Sequence, residues 1–438
     1  MRNSKIATVR GMVFALLLPL MHCGVWGQAT IPKTPAGNAL QAWLDAIDSR
    51  KAASIQAYVL SIDSTQTVDW LVSLSEHSGG FTLLSVTSKG PRLLAFHLKE
   101  KATATEAFGS LRVKDSRRLA VLSFAIHPLP PDAVVDDITL DAAEKQRLIE
   151  RVNEILKDDY LYPGIARKMA DALLQGQRRS DERMETDGGA FAFLITNQLR
   201  NISHDNHLDV IYTPFQIPQH KQPASNDHQT GAQDRMQGNC GITSMKILDG
   251  NVGYLKVDAF PDVAQCRPSI DAAMRFVNHA DSLIFDLRQN HGGDPRTVAL
   301  MASYLFNKPT HLNDMYDPRA YTTEQSWTES PIPGNTLAGK SVFILTSTMT
   351  FSGGEEFCYD LKMLGRATLI GERTGGGAHQ IRMARIDNHF SIAVPFAKPV
   401  NPISKTDWEG SGVLPDVNVK ANGALGIATK LALYRQAQ

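Results

Sequence analysis

The run Ser341-Val342-Phe343-Ile344-Leu345-Thr346 is short, β-branched and apolar, and it gives way almost at once to Ser352-Gly353-Gly354-Glu355-Glu356. A continuous apolar run of this length reads as a strand buried on both faces. Phe357, Leu361 and Leu364 then recur at helical spacing, and Gly365 stands where a C′ residue would end the helix. Strand, tight turn and helix in direct succession constrain the fold strongly, because the helix must pack back on the sheet that holds the strand. The same succession recurs upstream. Val252-Gly253-Tyr254-Leu255-Lys256-Val257 and Ser282-Leu283-Ile284-Phe285-Asp286-Leu287 read as strands that bracket a helix. After the second of these come Gly292-Gly293 and a helix with Val298, Leu300, Met301 and Leu305, and Thr368-Leu369-Ile370 adds a further strand. From about residue 238 onward the pattern is α/β layering.

The first part of the chain is built differently. Ala39, Leu40, Trp43, Leu44 and Ile47 form a helical stripe, followed by strand candidates at 81–86, 92–98 and 119–125. This order suits a small α+β unit over residues 30–130, a helix on a curved antiparallel sheet of the cystatin-like or nuclear-transport-factor-like type. It carries no chemical constellation, so its expected role is packing, regulation or substrate docking. Pro128-Leu129-Pro130-Pro131-Asp132 reads as the linker to a helical segment over 132–237. In that segment Asp141 and Glu144 have capping-box spacing, and Leu148, Val152, Ile155 and Leu156 line one face.

Lys+Arg and Asp+Glu each number 45 in 438 residues. That balance leaves no basic stripe for nucleic acid. The first 27 residues stand apart: Arg2, Lys5 and Arg10 precede the apolar run Val13 to Leu20, and Val25-Trp26-Gly27 supplies a small residue before Gln28. This is a secretory signal pattern too short to span a membrane, with cleavage expected near Gly27. The expected location is periplasmic or secreted. In an oxidising compartment Cys240 and Cys266 are a candidate disulfide, while Cys358, inside the helix after Ser352, reads as a small buried residue.

Four further segments carry chemistry. Asp286-Leu287-Arg288-Gln289-Asn290-His291-Gly292-Gly293 ends a strand with glycines that let the backbone approach a ligand, but it lacks the Gly-Lys-Ser/Thr ending of a phosphate loop. Gly371-Glu372-Arg373-Thr374-Gly375-Gly376-Gly377-Ala378-His379 is a second strand-end glycine run, either a mobile loop or a lip over a cleft. Ser203-His204-Asp205-Asn206-His207-Leu208 offers histidines suited to general-base work, and no Cys, His or carboxylate cluster completes a zinc spacing around them. Trp408-Glu409-Gly410-Ser411-Gly412 places a carboxylate in a glycine-containing loop. Ser352 itself fits two roles, a helix N-cap or a hydroxyl presented at the carboxyl edge of the sheet.

Taken together, Asp286-Leu287-Arg288 with Asn290 and Gly292-Gly293, Thr350-Phe351-Ser352-Gly353-Gly354-Glu355, Gly371-Glu372 with Thr374-Gly375-Gly376-Gly377, and Glu409 to Asp416 resemble the C-terminal-processing and tricorn-core family of serine peptidases. The resemblance covers residues 200–420. It implies a catalytic domain of crotonase-like/ClpP-like α/β layering over 238–438, preceded by the helical segment and the small α+β domain. Tail-specific members use a Ser-Lys dyad with the lysine in the loop matching 371–379, where this chain has Gly377 and no lysine. Those members also carry a PDZ domain, and the interval from Tyr212 to Gly241 is too short for one. The resemblance therefore implies the tricorn-like and retinoid-binding-protein-like branch. It maps a Ser-His-Glu site onto Ser352, His207 and Glu409, with His204 as the alternative base. Gly353 with Gly292 or Gly293 would hold the oxyanion, with Asn206, Arg288 and Asn290 in support. The expected substrate is a peptide or unfolded protein, with no cofactor and no metal. The alternative reading is a weakly active or inactive carrier of apolar ligands or peptides on the same fold.

Overall fold

The computed structural model describes residues 29–62, 66, 68–114, 120–130, 133–136, 138–176, 186–217, 239–332, 334 and 336–436. The signal-pattern segment lies outside these residues, as does most of the stretch between Tyr212 and Cys240.

Three helices open the described chain, α1 (Pro35–Asp48), α2 (Ala52–Ser61) and α3 (Val68–Ser78). The strands β1 (Phe81–Ser88), β2 (Leu93–Glu100), β3 (Glu106–Val113) and β4 (Val121–Pro128) follow as an antiparallel meander. Trp43, Leu40 and Ile47 of α1 are fully buried with Phe96 and Leu111 of the sheet, so the helical stripe read from the sequence is the face packed on it. This core is separate from the rest, yet Lys89 at the end of β1 reaches Asp187 at 2.6 Å.

Next come α4 (Ala142–Asp159), α5 (Pro163–Gly176), α6 (Gly188–Ser203) and the short strand β5 (Asp209–Tyr212). Asp141 caps α4 with the full capping box: Glu144 N–H donates to Asp141 Oδ1 at 2.8 Å, and Asp141 N–H donates to Glu144 Oε2 at 2.7 Å. The core of these helices includes Phe390, Ile392 and Val394 from far downstream. The helical segment thus packs on strands from beyond residue 238 rather than forming its own unit.

The remaining elements are β6 (Ile242–Leu248), β7 (Val252–Val257), α7 (Val263–Phe276), β8 (Ser282–Asp286), α8 (Pro295–Ser303), β9 (His311–Asp317), β10 (Thr322–Trp327), β11 (Ser341–Thr346), α9 (Gly353–Met363), β12 (Thr368–Gly371), β13 (Gln380–Arg385), β14 (Phe390–Val400), β15 (Val417–Asn418) and α10 (Ala421–Gln436). A six-stranded sheet runs β15-β12-β11-β8-β7-β6, parallel except for the β6 edge. Residues of α7, α8 and α9 cover one face with the largest apolar core, and Ala424, Ala428 and Ala432 of α10 pack on the other. A second sheet, β10-β9-β14-β13, takes β5 onto β14 as well. The architecture is a mixed α/β fold of several sheets and helices.

Candidate active site

Three neighbouring parallel strands, β8, β11 and β12, end at the same edge of the large sheet. Their carboxyl ends lead into the Asp286–Gly293 loop, the Ser352 turn and the Gly371–His379 loop. Loops leaving the carboxyl ends of parallel strands are where α/β folds place ligands. The segments are tied together by main-chain bonds: Phe351 N–H donates to Asn290 O at 2.9 Å, and Gly375 N–H donates to Thr350 O at 2.9 Å.

Ser352 occupies the N-cap position of α9, with φ +52° and ψ −123°. A non-glycine residue in this region costs about 1–3 kcal/mol, so it persists only when its surroundings hold it. Glu355 does part of the holding. Its buried carboxylate accepts from Ser352 N–H at 3.0 Å, from Gly376 N–H and Gly377 N–H at 2.7 Å each, and from Thr374 Oγ1. Burial pushes Glu355 up to about 7 against these four bonds, which favour its ionised form. One side chain therefore fixes both the serine turn and the glycine loop, and that loop is a tied structural element instead of a free lip.

Gly292 lies directly behind the serine. A Cβ placed there would stand 2.6 Å from Ser352 Cβ and 2.7 Å from Gly353 N, at a φ of +96°. Among the expected oxyanion glycines, however, Gly292 has given its N–H to Asn290 Oδ1 at 2.8 Å. Gly293 N stands 3.1 Å from where a Cβ on Gly353 would be. Neither Gly353 N–H nor Gly293 N–H has an acceptor among the described residues. The pair left free for a ligand oxygen is thus Gly353 and Gly293. Asn290, which also donates to Val257 O, is buried and braces this loop. Arg288 is turned elsewhere: its guanidinium binds Asp286 and the Ala421 carbonyl at the start of α10.

The two histidines of the helix-to-strand turn part company. His204 is the C-cap of α6 in the left-handed conformation and is exposed, as is Asn206. His207 is buried, its ring 4.7 Å from that of Phe351 (the neighbour of Ser352), and neither ring nitrogen has a hydrogen-bond partner among the described residues. Burial pulls His207 down to about 4, only partly offset by Asp205, so the ring is neutral at physiological pH, with one ring nitrogen able to accept a proton.

Glu409 is half-buried and accepts from Ala378 N–H at 2.6 Å and His379 N–H at 3.3 Å. Its Oε2 is 3.5 Å from His379 Nδ1, so the nearest imidazole to it in the ion-pair geometry is His379, which the sequence reading left unassigned. Burial, with Asp205 nearby, pushes Glu409 up to about 7 although His379 opposes the rise. His379 Nδ1 is 2.7 Å from Asp205 Oδ2, and Asp205 Oδ1 accepts His207 N–H at 3.0 Å. Burial would lower His379, but the Asp205 bond and charge together with Glu409 and Asp407 hold it above its ordinary value. The signals for these residues were present in the sequence: a histidine ending a glycine run, and an aspartate two residues before His207.

Asp205, His207 and Glu409 each offer a ligand atom within 4.8 Å of the others, the one grouping among the described residues that could hold a metal ion.

Fold and site together define an α/β protein with a serine at a strand-to-helix elbow, glycine N–H groups beside it and a buried histidine against the neighbouring Phe351. Residues 251–419 match the profile of Peptidase family S41. The tricorn protease of Thermoplasma acidophilum is 30% identical over 175 residues, covering 39% of this chain and 15% of that protein. The chloroplastic carboxyl-terminal-processing peptidase 3 of Arabidopsis thaliana is 27% identical over 170 residues, 38% of this chain and 31% of that protein. The chain thus spans less than a third of the length of either relative. A crystal structure of the tricorn protease superimposes over 81% of this chain and 42% of that one, with a TM-score of 0.43 and 14% identity.

Proposed function

We propose that the chain is an exported serine peptidase that hydrolyses peptide bonds in peptides or unfolded proteins through an acyl-enzyme. The observation carrying this reading is the strained main chain of Ser352 at the elbow between β11 and α9. Such a turn lifts the hydroxyl clear of the sheet edge, a placement that a helix cap alone does not need.

In the proposed reaction His207, neutral and unpartnered, takes the proton from Ser352 Oγ as that oxygen attacks the peptide carbonyl. The carbonyl oxygen becomes an oxyanion, held by the N–H groups of Gly353 and Gly293; each such donor is worth roughly 10²–10³ in rate in well-studied hydrolases. The C–N bond then breaks and His207 returns the proton to the leaving amine. Water, deprotonated by His207 in turn, attacks the acyl-enzyme; the bond from the acyl carbon to Ser352 Oγ breaks, His207 returns the proton to Oγ, and the second product leaves as a carboxylic acid. Glu409 supports the base site electrostatically.

We further assign the six-stranded sheet and its helices to the crotonase-like/ClpP-like layering, with residues 132–237 as its helical N-terminal segment and 30–130 as a separate small domain. Export is supported by the bond between Cys240 and Cys266, which persists in oxidising compartments. Among the described residues no helix is long and apolar enough to cross a membrane.

The test is Ser352→Ala in the purified chain, assayed on unfolded protein and on peptides. Hydrolysis should drop to the buffer rate, and a serine-reactive fluorophosphonate should label Ser352 in the parent protein but not in His207→Ala. Unchanged hydrolysis in Ser352→Ala would remove the assignment, and chelator should leave the parent activity intact.

A further inference from the structure

Two buried histidines stand in this site, and the proposed reaction uses one. His379 is the other, at the hinge between the glycine loop and β13. Its Nδ1 is 2.7 Å from Asp205 Oδ2 and 3.5 Å from Glu409 Oε2, and its ring meets Tyr162 edge-on at 5.8 Å. Asp205 is buried, with a second contact from Tyr160 Oη at 3.4 Å. Through Oδ1 it takes the main-chain N–H of His207 and lies 3.9 Å from His207 Nδ1. Glu409 in turn is anchored by the main-chain N–H groups of Ala378 and His379. A buried carboxylate and a half-buried one facing each other repel unless a donor stands between them. A ring N–H pointing into that gap is such a donor, and it links three segments of the chain that are distant in sequence.

We propose that His379 is a positioning residue whose Nδ1–H, placed between Asp205 and Glu409, locks the carboxylate that holds the His207 turn and so keeps the His207 ring against Phe351, the neighbour of Ser352. This rests on the peptidase reading. His379 touches neither substrate nor the reacting oxygen in this role, and it acts only through Asp205.

Asparagine can place its Nδ2–H where the histidine Nδ1–H lies, which separates the hydrogen bond from the ring and its charge. In the full chain, His379→Ala should lower kcat by roughly 10²-fold with KM changed by less than about threefold, since substrate contacts are untouched. His379→Asn should recover most of that loss. Loss of kcat in His379→Ala without recovery in a folded His379→Asn would overturn the proposal, as would full activity in His379→Ala. A readout independent of turnover uses ring-nitrogen NMR on Ser352→Ala protein. A downfield, slowly exchanging His379 ring N–H is expected there and should vanish in Ser352→Ala with Asp205→Asn; a rapidly exchanging His379 N–H in the Asp205-containing protein would also overturn it. If the parent chain hydrolyses nothing, the peptidase reading fails while this NMR signal still reports on the lock.

Discussion

Gly292 shows how little room the serine turn has. Its φ of +96° already favours glycine, and any Cβ there would meet both Ser352 Cβ and Gly353 N well inside contact distance. Relief can come only by moving the elbow or the strand-end loop, and a displacement of about 1 Å at a reacting group can cost 10²-fold in rate. Gly292→Ala is therefore expected to lose at least about 10²-fold in kcat/KM while the protein remains folded by circular dichroism. Activity within threefold of the parent would mean that the elbow has slack that these distances deny. The N–H of Gly292 does not contribute to this loss, because it is committed to Asn290 Oδ1.

Among the elements, those that could be read directly from the sequence are the ones whose signal is local. The capping box of α4, the apolar runs of β7, β8 and β11, and the end of α9 before Gly365 (φ +63°) all stand where their residues indicate. Asp141→Ala should cost about 1 kcal/mol of stability by removing that cap, seen as a lower urea midpoint with activity in native buffer unchanged. The strands that escaped notice lacked a local signal. β14 carries Pro395 and Pro399, residues that argue against a strand interior, and it tolerates them because its partners differ along its length. β3 contains Gly109, whose missing side chain is the space that the Phe96 ring fills. β9 and β10 form a largely polar hairpin. The same limit hid the Asp205–His379 contact. It arises because β5 and β13 flank β14, so the residues just before each strand meet at one end of that sheet. Ser352 and the glycine loops were legible because each sits within a single strand-turn-helix or strand-end unit.

The molecule as a whole keeps several carboxyls in places where ionisation is costly. Glu356 and Asp360, both buried on α9, share the amide of Asn313, which donates to Glu356 Oε1 at 2.9 Å and to Asp360 Oδ2 at 2.7 Å. Burial, with Asp294 adding to it, pushes Glu356 up to about 7, and burial next to Glu356 raises Asp360 well above the usual carboxyl range. A carboxyl raised on folding contributes stability at low pH that is lost as pH climbs from its unfolded value, 4.5 for Glu356, through about 7. Neutral Glu356→Gln escapes that loss. Relative to the parent, its unfolding free energy should rise between pH 5 and pH 8 and level off above about pH 8, as read from urea titrations across that range. A constant difference between the two proteins would show that Glu356 is ionised at all these pH values.

The crowding at Gly377 bears on how such a site could change hands. A side-chain carbon on that residue would sit 2.2 Å from the Phe351 ring and 2.6 Å from His207 Cε1. A side chain extending from residue 377 would therefore claim the volume that the His207 and Phe351 rings fill. Any residue larger than glycine at 377 needs room given up at 207 or 351, so these three positions can change only in concert.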